Sequence, residues 1–274
     1  MRKISLLLIL PLLWIFPARA ANDNFPFGGR QAGMGNAAVT LYDFWSISHN
    51  QAGLARLEGP AGGFYFENRF LARELSLGAA AFAMPAVNGV MGVSLTYFGY
   101  SLYHESKVGL AYSRAFGEKL SAGIQLNYLY TSIGEGYGTA GNVAVEMGVI
   151  YELLPGFHAG AHLFNPTRAR IVSDDGFGEE RIPTILRFGL SYSFSDRVLV
   201  TAETEKDMAQ EVAFRAGLEY RLAEQFYVRA GIGTNPTQNA FGFGMKVGSL
   251  RIDLASSFHH VLGYSPQAGI VVAF

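Results

Sequence analysis

The sequence predicts an all-β fold: a transmembrane antiparallel β-barrel of fourteen strands, with twelve as the alternative, preceded by a separate N-terminal segment. Three observations predict it. The chain is too apolar for a soluble domain yet has no internal membrane helix, its segments alternate apolar and polar residues, and its links alternate short and long.

The apolar excess comes first. Hydrophobic residues make up 50% of the 274 and charged residues 16%, against about a quarter charged in soluble domains. After Ala20 no stretch resembles the roughly 18-residue apolar run of a membrane helix. A net charge of -1 gives no general attraction to nucleic acid, so no nucleic-acid partner is expected. With no cysteine, disulfides, thiolate metal sites, a cysteine nucleophile and a lipidated cysteine anchor are excluded.

The first twenty residues, MRKISLLLILPLLWIFPARA, join a basic start at Arg2 and Lys3 to an apolar run and a small-x-small ending at Ala18-Arg19-Ala20. That is a secretory signal cleaved after Ala20. The domain reading is therefore 1–20 signal peptide, 21–58 N-terminal periplasmic or lumen segment with a short helix, and 59–274 barrel.

Alternation justifies the strands. In KLSAGIQLNYLYTS, Leu120, Ala122, Ile124, Leu126, Tyr128 and Tyr130 alternate with Ser121, Gly123, Gln125, Asn127 and Leu129. EVAFRAGLEYRLA and QFYVRAGIG repeat the pattern. Period two means strands with one apolar and one polar face. The fourteen centres fall near Phe64, Ala79, Leu95, Leu110, Ile124, Met147, Ala161, Leu190, Val200, Ala216, Val228, Phe243, Leu254 and Ile270. About 15 residues then serve each strand and link, which suits membrane strands of roughly 9–11 residues.

Tight links near Pro85–Asn88, Gly117–Lys119, Leu154–Gly156, Ser195–Arg197, Ala223–Gln225 and Gly248–Ser249 alternate with longer polar ones such as YSLYHES, NPTRARIVSDDGFGEERIP and FHHVLGYSP. Short turns at one rim and long loops at the other are the outer-membrane pattern. All seven prolines after residue 58 fall in predicted turns, loops or strand ends. A soluble sandwich is the competitor. Against it stand an aromatic girdle (Tyr97, Tyr112, Tyr130, Tyr151, Phe194 and Tyr220) and a charged polar face that a dry core would not accept. Gly269, Val272 and Phe274 in the final strand have the spacing of a barrel-assembly signal, so the expected partners are the assembly machinery and membrane lipid.

The inward face of the later strands carries Glu203, Glu205, Arg215, Glu219, Arg221, Arg229, Lys246, Arg251 and Asp253. Two readings are open: an ion-pair network filling a narrow lumen, or a charged constriction selecting what passes. Neither catalytic, metal nor cofactor residues are expected. His158 and His162 share one face of a strand about 13 Å apart, too far to share an ion. His259-His260, Asp174-Asp175 and Glu179-Glu180 read as solvated loop residues, and Ser256-Ser257 beside His259 lacks an acid partner.

GGRQAGMGN, residues 28–36, looks like a phosphate loop, but no strand precedes it and no Lys-Ser/Thr ends it. After it come small residues, a short amphipathic stretch around Asp43–His49, then Asn50-Gln51-Ala52-Gly53-Leu54. This opening resembles the FadL-like superfamily of outer-membrane barrels, and more closely its smaller PorV/PorQ-type branch. Members share a glycine/alanine-rich segment, a short helix and an Asn-Pro-Ala-Gly-Leu motif before the first strand; here Gln51 stands where proline is usual. The resemblance implies a fourteen-stranded barrel in a Gram-negative outer membrane, plugged by the N-terminal segment. Gly29, Arg30, Gly33, Gly35, Asn50 and Gly53 are the plug candidates, with Arg30 and Asn50 suited to lumen carboxylates and strand carbonyls. It implies a non-enzymatic protein that admits or binds small hydrophobic or amphipathic compounds. The alternative it implies is a surface docking component of type IX protein secretion, contacting secretion-system proteins through the loops at 165–183 and 258–266.

Overall fold

The computed structural model describes residues 24–134, 138–172 and 179–274. The leader with its cleavage site after Ala20 lies outside the described residues, as do Asp174-Asp175 and the side chains of Glu179-Glu180. Fourteen strands close into one barrel: β1 (Ala61–Asn68), β2 (Ser76–Ala86), β3 (Gly89–Tyr100), β4 (Tyr103–Phe116), β5 (Leu120–Ile133), β6 (Thr139–Leu154), β7 (Phe157–Phe164), then β10 (Ile185–Ser195), β11 (Val198–Asp207), β12 (Ala213–Ala223), β13 (Phe226–Gly233), β14 (Gln238–Val247), β15 (Leu250–His259) and β16 (Gly263–Ala273). Between β7 and β10 the chain forms a separate small hairpin of β8 (Arg170–Val172) and β9 (Glu179–Arg181). Each predicted strand centre lies within a barrel strand.

Neighbours pair antiparallel, and β1 closes on β16 with Phe64 opposite Ile270. Closure leaves no unpaired edge, which a backbone in hydrocarbon requires. The alternation turns inside out relative to a soluble protein. On β5, Ile124, Leu126 and Tyr128 are exposed outward, whereas Ser121, Gln125 and Asn127 are buried. No described helix is long and apolar enough to cross a membrane; the strands are built to do so. Tyr97 and Tyr130 lie toward the rim with the longer links, and Tyr112, Tyr151, Phe194 and Tyr220 toward the tight-turn rim.

Two sequence expectations are corrected. Pro266 is not at a strand end but inside β16, opposite Ser256. It is tolerated because pairing with β1 stops at Gln267, so a missing N–H there breaks no ladder on that side. The longer links are also mostly shorter than their polarity suggests. YSLYHES is almost all strand, leaving 101–102 as the turn, and FHHVLGYSP leaves 260–262. Polar residues near a barrel rim sit on paired strands as readily as in loops, because the water-filled rim accepts them.

The N-terminal segment precedes β1 and contains a five-residue helix, α1 (Gly29–Gly33), and two 3-10 turns, Phe44–Ser48 and Gln51–Arg56. The second of these elements starts in a capping box: Asp43 accepts the Ser46 N–H, and the Asp43 N–H donates back to Ser46 Oγ. The helix inside the glycine stretch carries no sequence signal, since two of its five residues are glycines and a third, Gly28, precedes it.

Candidate functional site: the filled lumen

Nearly every residue from Phe27 to Leu54 is buried, and the partners lie on the inward faces of the strands. Asn24 accepts a 2.7 Å hydrogen bond from Lys107 Nζ, four residues from the long-link end of β4. At the other extreme Arg56 donates to the Glu118 carbonyl in a tight turn. The segment therefore runs from the outer third of the barrel to its inner rim.

What lets it fit is missing side chains. A Cβ on Gly231 would lie 2.2 Å from Gly35 N, one on Gly217 2.6 Å from Met34 O, and one on Gly160 2.6 Å from Val39 O. One on Gly123 would meet Ala52 N at 2.6 Å, one on Gly148 would strike Asn50 Oδ1, and one on Gly63 would meet Phe44 at 2.8 Å. The candidates within the segment meet the same demand from the other side. Gly29 lies against the Asp253 backbone and Gly33 against Gly242, whereas Gly53 packs inside the segment, against Leu41 O and Ser46. Gly35 and Asn36 both take left-handed φ, +65° and +60°, and turn the chain at this point.

That turn aims two backbone N–H groups at the wall: Ala38 and Val39 donate to Glu203 Oε2 at 2.8 and 2.9 Å. Arg30 forms a fork on Glu219, Nη2 to Oε1 2.6 Å and Nε to Oε2 2.9 Å, and reaches Asp43 at 3.0 Å. Burial opposes the Arg30 charge, but Glu219 and Asp43 more than offset it and hold the guanidinium above its ordinary pKa. Asn50 Nδ2 lies 2.7 Å from Val39 O and 3.1 Å from Val149 O, joining segment to β6.

The charges predicted for the lumen divide. Arg229 pairs with Glu219 at 2.6 Å and with Asp253 at 2.8 Å, and Arg251 pairs with Asp253 at 2.9 Å. Arg215 pairs with Glu203 at 3.3 Å and Glu205 at 2.8 Å. Arg221 and Lys246 point inward near the tight-turn rim, without an ion-pair partner among the described residues. They stand where water, not an opposite charge, solvates them.

The sequence reading missed Arg187, which pairs with Glu205 at 2.6 Å, and a second polar centre on β4–β7. There the fully buried Glu146 receives Gln51 Nε2 at 2.9 Å and Asn127 Nδ2 at 2.9 Å, and faces His162 Nε2 at 2.9 Å and Lys107 at 3.6 Å. Its members were visible as inward polar residues, but Lys107 and Glu146 lie two strands apart, where no sequence spacing links them. His158 instead meets the Tyr42 ring edge-on at 5.5 Å, apart from this centre. His259 Nδ1 accepts from the Val261 and Leu262 N–H groups, capping a turn. Among the described residues no three His, Asp or Glu side chains gather as a metal site would require.

The opposite side of the lumen is apolar. Phe27, Phe44, Trp45, Ile47 and Leu54 of the segment pack against Ala61, Tyr65, Leu77, Ala79, Ala81 and Ala83 on β1 and β2. Its outer end is covered by Phe25 and Phe98, with the Arg69 guanidinium 3.7 Å over the Phe25 ring. The lumen is thus two-sided: charged and hydrogen-bonded along β4–β7 and β10–β15, apolar along β2 and the tight-turn half of β1 and β16, with Glu67, Ser265 and Gln267 forming a polar cluster toward the rim of longer links.

This architecture has counterparts among solved structures. The CymD monoaromatic hydrocarbon channel matches with a TM-score of 0.69 at 15% identity, over 93% of this chain and 99% of that one. The Ralstonia pickettii toluene transporter TbuX matches at 0.67 and 14%, over 90% and 97%. A Pseudomonas aeruginosa FadL homologue matches at 0.62 and 12%, over 90% and 97%. The fold is that of the FadL-type channels. No family model and no curated protein matches the sequence. Within this barrel, the small residues of the wall and the bulky ones of the segment are matched in space though far apart in the chain.

Proposed function

We propose that this chain is a non-enzymatic FadL-type barrel of a Gram-negative outer membrane, exported by the leader at 1–20, in which residues 21–58 plug the lumen. It admits or binds small hydrophobic or amphipathic compounds. The observation that carries this reading is the two-sided lumen. Ion pairs are directional and costly to break when buried, so the segment stays fixed to Glu146, Glu203 and Glu219. Apolar contacts with Ala79, Ala81 and Ala83 are replaceable by any hydrocarbon of suitable size. A small hydrophobic guest therefore has one route of low resistance, between the aromatic face of the segment and the wall of β1 and β2. The structural relatives named for hydrocarbons and toluene make toluene the first probe. Gly269 and Val272 lie in the closing strand β16 and Phe274 directly follows it, where the assembly machinery would read them.

The test uses a Gram-negative host deprived of its own hydrophobic-compound channels. Expression should accelerate uptake of labelled toluene, and Ala81→Phe, which fills the apolar side, should remove the gain. Uptake equal to that of the empty host would refute the proposal. The secretion-docking alternative draws no support here: the 258–266 link is reduced to a turn at 260–262, which offers a partner little surface.

A further inference from the structure

We propose that the tight-turn mouth of the lumen holds a binding site for a small organic acid, whose carboxylate sits over the Tyr227 ring between Arg221, Arg229 and Lys246. The cations deeper in this wall are matched: Arg30, Arg229 and Arg251 stand against Asp43, Glu219 and Asp253. Arg221 and Lys246 are the surplus. Both face inward, and Glu224, the exposed acidic residue of the turn between β12 and β13, pairs with neither among the described residues.

The position of Lys246 is unfavourable for the empty protein. Its register partner is Arg251. The Lys246 N–H donates to Gln225 O on the other side, so the two face each other as a non-hydrogen-bonded pair, Cα atoms about 4.5 Å apart and side chains close. Like charges so placed repel. Asp253 does not relieve them, because Arg229 and Arg251 already share it.

Tyr227 is the centre of the surplus. Arg221 is its register partner on β12, and Gly244 its partner on β14. Arg229 lies two residues along its own strand, and Lys246 two residues beyond Gly244, on the same inward face. Three cations thus surround one ring, and the fourth neighbour has no side chain. The Arg229 side chain is fully buried and 5.7 Å from the ring centroid, yet its Nη2 donates no hydrogen bond. It rests against Gly244, where a Cβ would stand 2.6 Å from it. A carboxylate over Tyr227 accepts from that nitrogen on the lumen side and from Arg221 and Lys246 on the rim side. Water reaches the rim, so a dissolved acid does too.

The surroundings favour an organic acid over an inorganic anion. The Tyr227 ring offers an apolar floor. Beyond Arg251 lies Val271, then Gly63, against which Phe44 packs. A hydrocarbon body on the carboxylate therefore meets apolar surface, whereas phosphate would present oxygens to it.

Purified protein in nanodiscs of zwitterionic lipid is titrated with benzoate, acetate and inorganic phosphate. One benzoate per barrel is expected, bound more tightly than acetate or phosphate. Arg221→Gln and Lys246→Gln should each weaken it about tenfold. Lys119→Gln, an exposed cation in another tight turn, should leave it unchanged, which separates a site from the general field. Without ligand, Lys246→Gln should not lower the unfolding midpoint, since it removes a repulsion; a lysine kept for stability would show the reverse. This readout needs no transport, so it stands apart from toluene uptake. Absence of saturable benzoate binding overturns the site, as does an equal loss in Lys119→Gln or none in Arg221→Gln and Lys246→Gln. Acetate or phosphate binding as tightly as benzoate overturns the organic acid and leaves a free-anion site only.

Discussion

Gly231 shows how much of this structure is decided by single atoms. It reads in the sequence as a polar-face filler of an alternating strand, yet a methyl group there would lie 2.2 Å from Gly35 N. Backbone stands on both sides, so neither can yield as a flexible side chain could. Gly231→Ala should therefore destabilise the folded protein by about 1–3 kcal/mol or more and loosen the segment, read by denaturant unfolding and by protease cleavage within residues 24–58. Gly233→Ala, two residues along the same strand, meets flexible side chains at ordinary contact distance, Gln238 at 3.4 Å and Arg215 at 3.8 Å, and should be nearly neutral. Similar cost at both positions would show that the close approach is not what matters. Glu203 makes the complementary case. Its carboxylate accepts two segment N–H groups and faces Arg215. Glu203→Gln keeps the shape but leaves a buried guanidinium underpaired, and unfolding should shift by roughly 2 kcal/mol. Glu203 is legible in the sequence as an inward charge, but its two segment N–H donors, like the Gly35 backbone beside Gly231, lie more than 160 positions away and no spacing links them.

At the scale of elements, the strands were legible and the segment's conformation was not. Alternation locates β5 or β12 because period two is a property of neighbouring residues. The helix Gly29–Gly33 goes against local propensity. It exists because Arg30 reaches Glu219 while Gly29 and Gly33 pass the wall, all of which is long-range. The same docking should depend on pH through His49, which sits between segment and wall with Nε2 unpartnered. Burial first, and then the charge of Arg187, lower its pKa from 6.5 to about 3; Arg215 and His162 add to this and Asp43 opposes it. The folded state holds the imidazole neutral, and release lets it take a proton. Its contribution is therefore fully present above pH 6.5 and lost as pH falls toward 3, amounting to about 2 kcal/mol by pH 5. Protease cleavage of the segment should rise across that window in the wild type. The informative quantity is the difference from His49→Gln, whose profile should be flatter. Parallel profiles would remove His49 from the account.

For the whole molecule, the barrel was legible because membrane burial imposes one rule on every strand, apolar outward and polar inward. The lumen's two-sidedness was not, because that rule says nothing about which inward residues are small. Ala79, Ala81 and Ala83 read as weak strand formers, yet they are the wall of the apolar side. This bears on whether the segment is a gate or a permanent filling. A fourteen-stranded wall encloses more space than its own side chains fill here, since the buried interior is supplied largely by residues 27–54. Intact protein in a planar bilayer should therefore carry no steady ionic current, because hydrated ions cannot use an apolar route that a hydrocarbon can. Deleting residues 24–58 should leave a barrel whose strands still close, β1 on β16, and which conducts continuously. If the intact protein conducts as well as the deletion, the segment does not seal the lumen in a membrane, and the distinction between hydrocarbon and ion passage collapses. If only the deletion conducts while the intact protein still carries toluene, the filling is permanent toward ions and yields only along its apolar face.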